Sequence, residues 1–82
     1  MKQQRLYPFS AKNHAHDIVF RRNRAKNEWA ESGYTNERLE KLIDDLGAIL
    51  DKAVGCVPVI WLTGKEWALA QESVIWAYSM RK

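Results

Sequence analysis

The chain has 82 residues, 46% of them apolar, and a formal net charge of +3. That length sets one domain with a modest core. Its single cysteine, Cys56, excludes an intrachain disulfide, and its longest unbroken apolar stretch, Val57–Leu62, is far too short to cross a bilayer.

Residues 1–9 read as an extended arm. Pro8 disfavours helix at Tyr7, and Leu6, Tyr7 and Phe9 are available to pin the arm to a core. No apolar run of signal-peptide length follows the charged start, so a cytoplasmic protein is expected. Ser10 then suits an N-cap, and a helix is expected over about 10–31. Ala11, Ala15, Ile18, Val19, Ala25 and Trp29 share one face of it. Phe20 points away from that face and needs a neighbour of its own, for which the arm is the candidate.

Ser32-Gly33 stops this helix, with Gly33 suited to a left-handed C′ position. Thr35 or Asn36 caps a second helix, expected over about 36–53. Leu39, Leu42, Ile43, Leu46, Ile49, Leu50 and Ala53 give it a clean apolar stripe. Glu37, Glu40, Lys41, Asp44, Asp51 and Lys52 fall on its opposite side.

Cys56, beside Val57 and Val59, reads as a small buried hydrophobe. Pro58 rules out a regular helix interior, so residues 57–62 are expected to be extended. The one candidate partner strand is the arm around Arg5–Phe9. Thr63-Gly64-Lys65-Glu66 matches the S/T-x-x-E capping box and opens a third helix over about 64–81. Trp67, Ala70, Val74 and Tyr78 form one apolar stripe on this helix, expected to face the second helix. Leu69, Trp76 and Met80 form another, roughly opposite. A helix apolar nearly all round is central in its fold or covered by a partner.

The fold class expected is mainly α: a compact three-helix domain with an N-terminal arm and a minor two-stranded pairing. The second stripe of the third helix, extended by Trp61 or Phe20, is the expected interaction surface. The function expected from it is non-catalytic protein contact, with a second copy of the chain as the simplest partner. The competing expectation has the arm folding over that stripe.

Charge supplies the alternative. Residues 1–30 hold seven Lys/Arg and two Asp/Glu, residues 31–62 three and six. The basic third either docks onto the acidic third, the favoured reading, or attracts an acidic partner such as nucleic acid. For nucleic acid the contact residues are Arg21, Arg22, Arg24 and Lys26, although Asp17 and Glu28 are placed to neutralise Arg21 and Arg24. The first helix lacks the separated apolar and basic faces of a membrane-surface helix.

Nothing in the sequence calls for an enzyme, a metal or a cofactor. His14, His16 and Asp17 supply two converging ligands at most, both histidines lie in one helix, and the only cysteine sits in an apolar context. Asp44 and Asp45 are consecutive and diverge on a helix. Thr63-Gly64-Lys65 lacks the first glycine and the Ser or Thr of a phosphate loop.

Overall fold

The computed structural model describes residues 4–55 and 57–81. Their order is β1 (Tyr7–Phe9), α1 (Ala11–Glu31), α2 (Glu37–Lys52), β2 (Ile60–Leu62) and α3 (Gly64–Met80). This is a mainly α, three-helix domain with a two-stranded antiparallel sheet. No helix among the described residues is long and apolar enough to cross a membrane. Cys56 lies outside the described residues.

Tyr7 pairs with Leu62, Pro8 with Trp61 and Phe9 with Ile60. The period of two sends Phe9, Ile60 and Leu62 into the core and turns Pro8 and Trp61 outward. Pro8 lacks an N–H and is tolerated because β1 is an edge strand. The pairing extends into α1, whose Lys12 amide donates to the Pro58 carbonyl at 3.3 Å. One amide of the first helical turn, without an intrahelical acceptor, is thereby satisfied.

The core gathers Phe9, Ala11, Ile18, Leu46, Ile49, Ile60, Leu62 and Ala70. Leu42, Leu50, Ala53 and Leu69 pack against it. The α2 stripe is as its spacing demands, and every charged residue expected opposite the stripe is exposed. Asn36 caps α2, its Oδ1 accepting from the Leu39 amide at 3.2 Å. Ser10 stands at the α1 N-cap without a side-chain hydrogen bond.

The α1–α2 turn closes as a Schellman motif. The Gly33 amide donates to the Ala30 carbonyl and the Tyr34 amide to the Trp29 carbonyl, each at 3.1 Å. The Tyr34 and Trp29 rings meet edge-on, 4.6 Å between centroids, as the contact that accompanies this motif. Gly33 has φ 76° and Tyr34 φ 65°, so both are left-handed. For Tyr34 that conformation costs about 1–2 kcal/mol, offset by its amide bond and ring contact.

The capping box of α3 is complete. The Glu66 amide donates to Thr63 Oγ1 at 3.3 Å, and the Thr63 amide donates to Glu66 Oε1 at 3.0 Å. Lys52, at the end of α2, donates to the same Oε1 at 2.7 Å. Desolvation opposes ionisation of Glu66, but the Lys52 hydrogen bond, the two Thr63 contacts and the Lys52 charge outweigh it. The carboxyl is held below the ordinary glutamate range.

Two outcomes follow from these termini. Gly33→Ala should lower stability by about 1–2 kcal/mol, through backbone conformation alone, because nothing lies within 4 Å of a Cβ built there; urea unfolding measures it. The stability from the Glu66 charge should be present at neutral pH and vanish as pH falls through its depressed folded value. Glu66→Gln keeps a capping-box side chain and should therefore be less stable than the parent at pH 7, with the difference shrinking as pH falls through the depressed folded value, in paired urea titrations.

Candidate interaction surface

The third helix splits its first expected stripe: Ala70 is in the core and Val74 packs against it, while Trp67 and Tyr78 are exposed. Its buried residues are Ala70, Ser73 and Ala77. They recur at i, i+3 and i+7 and form a seam of small side chains that runs from Ala70 of the first stripe toward the second. Ser73 costs nothing to bury, since its hydroxyl donates to the Leu69 carbonyl at 2.8 Å.

This rotation corrects the expected surface. Leu69 packs against the core. Trp76 is half-buried, its ring 5.8 Å from that of Phe20, itself half-buried on α1. Phe20 therefore finds its neighbour on α3, not on the arm. Arg21 lies over the other partner of that pair, 4.3 Å from the Trp76 ring centre. Arg81, the C-cap of α3, lies 5.2 Å from the Phe20 ring and 2.6 Å from the Asp17 carboxylate. Asp17, Arg81, Phe20, Trp76 and Arg21 thus alternate between the two helices like a zip. Of the five residues expected on the surface, Phe20, Leu69 and Trp76 are drawn inward. Trp61 and Met80 stay exposed, at 57% and 50%.

The side that α3 turns to water carries Trp67 and Tyr78, two of the four stripe residues expected to face α2, together with Ile75. Tyr78 is 73% exposed, Ile75 67% and Trp67 37%. On the helical wheel this face is centred on Gln71, with Trp67 and Ile75 one turn to either side. Ala68 and Tyr78 complete it, and Glu72 is the charge at its border. The arm reaches the N-terminal end of this face, not the opposite stripe. Trp67 Nε1 donates to the Pro8 carbonyl at 3.2 Å, and the Tyr7 and Trp67 rings lie 6.1 Å apart. Through Pro8, which pairs with Trp61, the apolar surface continues onto the outer side of the sheet. Leu6 is left 47% exposed.

The basic residues of α1 do not assemble into one face. Arg21 is stacked on Trp76, Arg22 is half-buried with its Nε unpartnered, and Arg24 and Lys26 are exposed. Asp17 neutralises Arg81, not Arg21, and also lies 3.6 Å from His14 Nδ1. Among the described residues no ion pair links Glu28 to Arg24, or α1 to α2. Lys26 shares an open hollow of about 300 Å³ with Glu40, Asp44, Trp29 and Tyr34 without pairing with either carboxylate. The favoured docking of basic α1 onto acidic α2 therefore has no ion pairs to carry it; α1 and α2 meet through apolar side chains.

No family model, curated protein or solved structure matches the chain.

The two sides of α3 should respond differently to truncation. Trp76→Ala removes the centre of the stack and should cost about 3 kcal/mol. Tyr78→Ser should change monomer stability by no more than about 0.5 kcal/mol. Urea unfolding at low protein concentration checks both.

Proposed function

We propose that the chain is a non-catalytic interaction module that pairs with a second copy of itself through the outward face of α3. One observation carries this reading: Ile75 and Tyr78 are largely in water beside Trp67, on a face with charge only at its border. Interface centres are depleted of charge and enriched in aromatic side chains. Each aromatic offers about 150–250 Å², so the exposed parts of Trp67, Ile75, Tyr78 and Trp61 supply on the order of 500 Å² against roughly 800 Å² per partner in a standard interface.

The pattern suits a two-fold contact. Two α3 helices running antiparallel about an axis at Gln71 set Trp67 of one protomer opposite Ile75 of the other. Gln71 then meets its own copy, and an amide can donate to and accept from an identical amide. A single cysteine, leaving the fold free of disulfides, supports placing the module in the cytoplasm.

Light scattering over a concentration series tests the reading. The parent chain should show a dimer that dissociates on dilution. Ile75→Glu with Tyr78→Glu should yield a folded monomer at every concentration, because the new carboxylates would be buried without partners against the apolar side chains facing them, Ile75→Glu against Trp67 of the other copy. A parent chain that is monomeric throughout would sink the self-association.

A further inference from the structure

A different region carries an inference of another kind. Arg21 and Arg38 border one open cleft of about 420 Å³, with Asn36, Leu39 and Leu42. No carboxylate lines it. Neither arginine forms an ion pair within 4.0 Å among the described residues. Arg21 is the more telling of the two. Its Nη1 has no hydrogen-bond acceptor, and because that atom is closed to solvent it is the rest of the side chain that borders the cleft. The Trp76 ring behind it favours the cation but supplies no acceptor oxygen for its N–H groups. Glu72 borders a smaller hollow of about 160 Å³ on the Trp76 side of Arg21, yet is not paired with it. Asn36 adds a donor, since its Oδ1 is taken by the Leu39 amide and its NH2 group is left over.

The cleft therefore offers two cations and a spare side-chain amide donor, and no anionic group. Guanidinium groups in a fixed fork match the oxygens of phosphate, and one stacked on an aromatic ring is already oriented for it. We propose that Arg21, Arg38 and Asn36 form a phosphate-binding site, with Leu39 and Leu42 as the apolar floor beneath the group that carries the phosphate. The phosphate belongs either to a free small molecule or to a nucleic-acid backbone, and the chemistry at the three donors is the same.

The test is a titration of the full chain with inorganic phosphate, followed by the NMR signals of the arginine Nε–H groups and of the Asn36 side-chain amide. Saturable shifts confined to Arg21, Arg38 and Asn36 are expected. Arg38→Gln, an exposed position, should weaken binding about tenfold, while Arg24→Gln, exposed but outside the cleft, should leave it unchanged. Arg21→Gln disturbs the Trp76 stack, so Arg38→Gln is the deciding variant. A short single-stranded oligonucleotide added in competition separates the sources. Displacement of phosphate with the same residues shifting assigns the backbone of nucleic acid, and failure to displace it assigns a small phosphate-bearing molecule. Absence of saturation, or equal weakening by Arg38→Gln and Arg24→Gln, overturns the site.

Discussion

The arrangement of the whole molecule depends on a seam of small side chains. Ala70, Ser73 and Ala77 are the residues that α3 buries, and they fix its rotation about its own axis. A helix with small residues on its inner face brings its backbone close to its neighbours. The large side chains beside the seam are then pushed to the flanks. On one flank Leu69 and Trp76 fold against the core and α1. On the other, Trp67 and Tyr78 are turned out, with Ile75 between them on the outer side. The stacked interior and the open exterior of α3 are consequences of one rotation.

Polar contacts hold that rotation at both ends of the helix. At its start, Glu66 closes the capping box and receives Lys52 from α2. At its end, Arg81 reaches Asp17 on α1 and covers Phe20. Ion pairs open to water contribute little stability, about 0–1 kcal/mol each. Their value lies in direction. A helix apolar nearly all round has several rotations of similar burial, and paired charges at fixed ends favour one of them.

The same point separates what was legible in the sequence from what was not. The second helix was readable because its apolar and charged residues segregate, and Leu46 and Ile49 are buried where the period puts them. Asn36, Gly33 and Thr63-x-x-Glu66 were readable because turn and cap chemistry is local. The pairing of Arg5–Phe9 with residues 57–62 followed from having two short extended segments and no third. The rotation of α3 was not readable: Trp67, Leu69, Val74, Trp76 and Tyr78 surround the axis, and hydrophobicity alone gives no preference among them. What decided it was side-chain size, with alanines and a self-satisfied serine taking the tight side. The partner of Asp17 was missed for a related reason. Arg21 lies one turn away in sequence, but the aromatic ring of Trp76 takes its guanidinium, and Arg81 arrives from 64 positions further on. The donor cleft was hidden too, since Arg21 and Arg38 stand on different helices and meet only once α1 and α2 have packed.

The outward face of α3 has no internal solution among the described residues. The arm is already committed: Phe9 is in the core, Pro8 holds Trp67 Nε1, and Tyr7 lies against the same indole. To cover Ile75 and Tyr78 it would have to give up its pairing with Ile60–Leu62, which closes one side of the core. The segment after α2 is likewise tied, since the Pro58 carbonyl accepts from Lys12 and Ile60 and Leu62 are buried. Arg81 is held at Asp17. Each segment near α3 is thus anchored by a contact that the fold cannot lose cheaply in so small a domain. Nothing among the described residues is thus free to cover Ile75 and Tyr78, and the proposed second copy would bring a face of the same shape, the same lack of charge and the same central amide.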